Sequence, residues 1–331
     1  MYDIRKRFPA EDIIEPDLPI CDAHHHIWDW AGMPYLLEDY VADVDPGRGH
    51  RVETSVFVEC RAFYDTDAPA RLMSVGEVRE VAALAARARA DGFRPMQAIV
   101  GHADLLLGAD VRETLEKLVE AGEGRLRSIR HSVAWDASPE VGNSIVNPPP
   151  HLLGDARFRE GFALLEGFDL AFEAWLYHPQ LLDLVELATA FPGTGIVLDH
   201  LGGPLGIGPY AGRREEVFVV WREQIRRLAE RQNVIVKLGG LGMTKCGFGF
   251  EQRDQPPTSA ELAEAWRPYI ETCIEAFGPA RCMFESNYPA DRESCGYSAI
   301  WNAFKLIASG ASAAEKSALF RDNAHRFYRI V

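Results

Sequence analysis

The sequence predicts an α/β protein of the (β/α)8 barrel type, one domain spanning residues 1–331. Three observations carry this. Short apolar, β-rich runs alternate with longer helical runs eight times, the pattern of parallel strands joined by helical crossovers. No G-x-G-x-x-G turn follows the first run, as a doubly wound nucleotide-binding sheet would want. The longer loops, 29–50, 135–152, 202–212 and 242–258, mostly follow strands, and in a barrel that is the catalytic face.

The first strand follows the lead-in EPDLPI and carries Cys21-Asp22-Ala23-His24-His25-His26. The second lies over 52–62, followed by a helix over 74–92 with Ser74 as its cap and Gly92 as its stop. A third strand at 93–103 precedes a helix at 111–122, and a fourth at 126–135 precedes one at 157–168. The fifth strand covers 170–178 and its helix 180–191; the sixth covers 195–204 and turns at its glycines. A helix near 212–231, a strand at 233–243, a helix at 259–278 and a strand with its exit loop at 281–291 complete the eight units. Two helices, near 298–309 and 312–328, close the chain.

The composition is that of an ordinary globular protein, 47% hydrophobic and 25% charged. A net charge of −14 argues against nucleic acid, since phosphate contacts need a basic face. The six cysteines show no CxxC spacing and read as reduced thiols, and MYDIRKRFPAEDIIEPD lacks the apolar core of a signal peptide. No apolar run approaches the roughly 20 residues of a membrane helix. These features together predict a cytoplasmic protein acting on a small molecule, with no membrane partner, and association through barrel helices stays open.

Alternation along the first strand turns Asp22, His24 and His26 one way and His25 the other. Two imidazoles at that spacing can grip one divalent metal or donate to one polarised oxygen. His200, just before a glycine turn, is placed to point into a pocket, and His178 precedes Pro179 at a helix start. Either could add a third nitrogen to a zinc or manganese site; direct hydrogen bonding without metal is the other reading. Arg130 and Lys237 are candidates to bind a substrate carboxylate, Lys237 equally for a structural ion pair. Glu173 shares strand parity with Trp175 and Tyr177 and is expected to face the helices, while His50, His151 and His325 read as surface or structural. Trp28 and Tyr288 belong to a set of mouth aromatics that suggests a partly apolar substrate pocket.

CDAHHHIWD at the start, VLDHLGGP in the middle and RCMFESNYPAD near the end together resemble the amidohydrolase superfamily, in its amidohydrolase-2 branch of lactonase-like barrel hydrolases. The resemblance spans residues 21–291. It implies that His24, His26 and His200 surround a substrate carbonyl, with or without a metal, and that Arg130 holds a substrate carboxylate. The family's last motif is typically G-[ST]-D-W-P, whose aspartate activates water. Here the stretch reads Glu285-Ser286-Asn287-Tyr288-Pro289, with an amide where the base should stand. Glu285, Asp291 and His200 are the candidates to replace it, and Asn287 can still orient a water or a substrate oxygen. The expected function is a hydrolase that opens a lactone or related cyclic ester bearing an anionic or aromatic group. A lyase, decarboxylase or isomerase on the same barrel is the alternative, and a non-catalytic binding protein a further one.

Overall fold

Parallel pairing in strict sequence order arranges eight strands into one sheet. The computed structural model describes residues 8–88, 92–144 and 146–331. The strands are β1 (Ile20–His25), β2 (Val52–Val58), β3 (Arg94–His102), β4 (Leu126–Arg130), β5 (Ala171–Ala174), β6 (Ile196–Leu198), β7 (Val234–Leu238) and β8 (Cys282–Phe284). The sheet curls until the segment after β8 reaches β1: His26 N donates to Tyr288 O at 2.8 Å, and Asn287 N to His24 O at 2.9 Å. A helix follows each strand: α1 (Leu37–Val44), α2 (Ser74–Arg87), α3 (Arg112–Ala121), α4 (Ala156–Phe162), α5 (Leu181–Ala190), α6 (Arg214–Ala229), α7 (Ser259–Phe277) and α8 (Tyr297–Ile307). This is the (β/α)8 barrel the alternation predicts.

Two apolar layers hold it. One lies between sheet and helices, where Trp221, Trp266 and Trp301 are fully buried. The other fills the barrel with small and branched side chains, among them Ala23, Val56, Ala98, Val197 and Ile235, and Tyr328 plugs it. Tyr328 comes from the chain's end, where the helix expected over 312–328 runs unbroken as α9 (Ala313–Ser317), a wider turn at Ala318–Asp322, and α10 (Asn323–Tyr328).

Several local expectations are corrected. Ser74 does not cap α2; its hydroxyl donates to the carbonyl of His102 at 2.8 Å. That helix ends at Arg87, and residues 89–91 of the span expected for it lie outside the described residues. Residue 145 of the loop expected at 135–152 lies outside them too. Asp22 does not share a face with His24. The pairing of β1 with β2 slips between Asp22 and His25, so simple alternation fails there. Asp22 instead accepts from the hydroxyls of Tyr40 (2.9 Å) and Ser286 (2.6 Å), on the side where His25 stacks on Tyr40. Glu173 points into the barrel, because β5 ends at Ala174 and parity does not carry on to Trp175 and Tyr177. His50 is buried, accepting at Nδ1 from Lys305 Nζ at 2.8 Å, so its role is structural. All six cysteines are free and buried. Among the described residues no helix is long and apolar enough to cross a membrane.

Candidate active site

The strand ends deliver a buried polar cluster to one face of the barrel. His24 stands at its centre. Its Nε2 lies 3.2 Å from His26 Nε2 and 3.4 Å from an Arg130 nitrogen. Its Nδ1 lies 3.1 Å from Glu285 Oε2, 3.2 Å from Lys237 Nζ and 3.6 Å from Asp199 Oδ1. Lys237 Nζ also donates to Glu173 Oε2 at 2.7 Å, and the Tyr328 hydroxyl donates to that carboxylate's other oxygen at 2.7 Å. Arg130 is committed to Glu59, through Nε at 2.7 Å and through a second bond to the Glu59 carbonyl.

Proton positions follow from what each partner can accept. The Val58 carbonyl, 2.8 Å from His26 Nδ1, can only accept, so His26 carries its hydrogen there. Burial, then His24 and Arg130, holds His26 well below the usual histidine range, so it is neutral and its Nε2 accepts. The hydrogen between the two rings therefore belongs to His24 Nε2. Burial and the neighbouring Lys237 lower His24 as well, leaving Nδ1 as a lone pair toward Lys237 and Glu285. His200 Nδ1 donates to Glu285 Oε1 at 2.7 Å, which leaves its Nε2 as an acceptor. Burial alone would raise Glu285, but its interactions with His200 and His24 outweigh that and bring it to about 2.

Acceptors outnumber donors here. Three buried carboxylates, Glu59, Asp199 and Glu285, and Glu173, which burial raises to about 8, face two fixed cations, Arg130 and Lys237. Among the described residues no hydrogen bond reaches either oxygen of Asp199 or Oε2 of Glu285. Buried anionic oxygens without donors are costly. His24, His200 and Glu285 each offer a ligand atom within 4.8 Å of the others. The donor set thus fits a divalent cation, which would meet both the charge and the bare oxygens.

A second pair stands beside the first. Asn287, held at φ 52°, donates through Nδ2 to Asp291 Oδ1 at 2.7 Å, and Gly242 N donates to Asp291 Oδ2 at 2.8 Å. Burial raises Asp291 to about 7 despite these bonds. The run Gly239-Gly240-Leu241-Gly242 after β7 makes room for this machinery. A Cβ at Gly239 would fall 2.4 Å from Glu285 Cγ, at Gly240 2.5 Å from His200 Nδ1, and at Gly242 2.7 Å from Asp291 Oδ2.

Comparison with known proteins identifies the family. The sequence model of the amidohydrolase family matches residues 21–330, nearly the whole chain. The chain belongs to the amidohydrolase family. This amidohydrolase is 32% identical to y4mH, an uncharacterized protein of Sinorhizobium fredii, over 95% of this chain and 99% of that one. It is 26% identical to the L-fucono-1,5-lactonase of Burkholderia multivorans, over 93% of this chain and 95% of that one. Its fold matches a crystal structure of a zinc-bound amidohydrolase from B. multivorans with TM-score 0.72, at 23% identity, covering 94% of this chain and 99% of that one. It also matches a manganese complex of 5-carboxyvanillate decarboxylase from Novosphingobium aromaticivorans with TM-score 0.58, at 13% identity, covering 95% and 97%.

Of the residues singled out from sequence, the amidohydrolase brings His24, His26, His200, Glu285, Arg130 and Lys237 together, with Asn287 and Asp291 paired alongside. His178 stands apart from them, its Nδ1 accepting from Leu205 N at 3.2 Å. Trp28 stacks on Trp30 at 4.3 Å and donates to Met33 O, with its ring centroid 6.3 Å from that of His26. Tyr288 is buried among Tyr35 and Tyr297. Sequence reasoning missed Glu59, which follows β2; it set Asp199 of the DHLGGP motif at the barrel mouth with His200 but gave it no role. It also missed the glycine run, which is legible as LGGLG.

Proposed function

We propose that this amidohydrolase hydrolyses a lactone or related cyclic ester, using one divalent ion, zinc or manganese, held by His24, His200 and Glu285 with Asp199 beside them. The observation that carries the reading is the set of buried carboxylate oxygens around His24 that no hydrogen bond reaches among the described residues. The similarity to a lactonase over almost the full length supports the substrate class. A bound divalent ion would polarise the ester carbonyl and acidify a water.

The chain's own groups then divide the remaining work. His26 holds the His24 ring through Nε2, so that Nδ1 faces Glu285 before substrate arrives. Asp291 is the general base. Asn287 takes the place the family gives to an aspartate and hands the basic role on by holding Asp291 Oδ1. A carboxyl raised to about 7 accepts a proton at neutral pH far better than an ordinary one. His200 Nε2, left as the lone-pair nitrogen by the Nδ1 bond to Glu285, is the atom that would hold the ion.

A decarboxylase reading is kept by one feature: with Asn287 at the motif's aspartate position, the usual water-activating carboxylate is not there. The deciding experiment measures metal content and turns over a panel of sugar-acid lactones and pyrones in ¹⁸O-water. Hydrolysis predicts about one zinc or manganese per chain and one labelled oxygen in the product carboxylate. Turnover that releases carbon dioxide without label would replace this reading with the decarboxylase.

A further inference from the structure

On the catalytic face, the loops after β2, β3 and β4 enclose a cavity of about 680 Å³, a size suited to a substituted ring. Its wall is mixed, with Met73, Leu106 and Pro148 apolar and Arg61, His102 and Asn147 polar. None of the cluster residues lines it, and the chain links the two. Arg61 lies two residues past Glu59, and His102 Nδ1 donates to the Arg130 carbonyl at 3.0 Å.

Most charges in this wall are accounted for. Arg71 pairs with Glu113 at 2.9 Å, and Asp104 accepts from Leu106 N at 3.0 Å. Arg61 differs. Among the described residues its side chain has no ion pair or hydrogen bond, and its only partner is the Tyr64 ring, 5.8 Å away. The Tyr64 hydroxyl, in the same wall, is buried and has no hydrogen-bond partner among the described residues.

The loop that carries Arg61 is held in place. Glu77 Oε1 accepts from Cys60 N at 3.0 Å and from Ala62 N at 2.8 Å, bracketing the arginine. Arg61 and Phe63 both sit in the left-handed region, at φ 63° and 51°, which side chains adopt at a cost. Gly76 lets α2 press against the loop, since a Cβ there would fall 2.6 Å from Asp65 N. The backbone that presents Arg61 is thus set, and its exposed guanidinium, without a protein counter-ion among the described residues, is open to an anion from solution. Arg130, with Nε and a second nitrogen on Glu59, is already engaged.

We infer that Arg61 binds a carboxylate on the substrate's ring, while the apolar wall holds the ring itself. The catalytic part of this inference rests on the hydrolase reading above; the binding part stands without it. The test compares coumalate, an unsaturated six-membered lactone with a ring carboxylate, with its neutral amide. The wild-type enzyme should favour coumalate in kcat/KM. That preference should fall about tenfold or more in Arg61→Gln and return in part in Arg61→Lys. Equal kcat/KM for the two lactones in the wild type, or a preference unmoved in Arg61→Gln, overturns the carboxylate site and leaves the hydrolase reading intact. If neither lactone is opened, the hydrolase reading is what fails, and calorimetry with isophthalate on the holoenzyme decides the site. Affinity about tenfold weaker in Arg61→Gln upholds it, whereas equal or absent binding overturns it.

Discussion

Asn287 shows how one atom type redirects a site. An amide cannot take a proton, yet its Nδ2 reaches Asp291 Oδ1 at 2.7 Å and aims the carboxylate that can. If Asp291 is the base, activity should rise with pH and level off above about 7, because the carboxyl is raised to about 7 and must lose its proton to work. Asp291→Asn should remove that rise and lower kcat by about 10²–10⁴-fold. Asn287→Asp should not restore a better enzyme. It would set two carboxylates at hydrogen-bond distance, raise the shared titration and move the rising limb to higher pH. A limb that stays in place in Asn287→Asp would show that Asp291 is not the group being titrated. At this scale the sequence was informative about residue types and poor about partners. The HxH pair, His200 and the substituted motif were all legible. Glu59 was not, because an acidic residue after a strand reads as solvated until Arg130, 71 positions away, is seen to claim it.

Elements were legible wherever periodicity ran long, and failed where the chain leaves a regular path. The eight strands and the helices from α2 to α8 stand where alternation puts them, whereas α1 lies within 29–50, read from the sequence as a loop. The errors sit at the slip in β1 that turned Asp22 and at the end of the four-residue β5 that misplaced Glu173. Parity counts only while the strand lasts. The junction of β2 and α2 makes a prediction of its own. Glu77 is buried, its Oε1 clamps the loop of residues 60–62, and its Oε2 has no hydrogen-bond partner among the described residues. Burial, then Glu59, raises it to about 8. The folded chain therefore holds a proton there that the unfolded chain releases near the ordinary glutamate value. The stability tied to Glu77 is complete at acid pH and is lost as pH climbs toward 8. Glu77→Gln keeps an oxygen acceptor for both amides and removes the titration. Its urea midpoint should match the wild type near pH 5 and exceed it near pH 8.5, and a gain equal at both values would refute the linkage.

Across the whole molecule, the candidate metal residues come from opposite ends of the chain. His24 ends the first strand, Asp199 and His200 follow the sixth, and Glu285 follows the eighth. The barrel is closed between β8 and β1 by few backbone bonds, those of the His24–His26 and Asn287–Tyr288 segments. An ion held between His24 and Glu285 would therefore span that seam as well as serve the reaction. Any ligand that binds only the folded state stabilises it by mass action, by about 2.7 kcal/mol at a hundredfold excess over its dissociation constant. Dialysis against a chelator should accordingly lower the melting temperature by several degrees, and added zinc or manganese should restore it. His200→Ala supplies the control, because it removes one ligand while leaving the seam's backbone bonds in place. Its melting temperature should respond far less to chelator or added ion. A wild-type protein that melts at the same temperature with and without metal would remove the ion from both roles and leave Lys237 and Arg130 as the cations of this site.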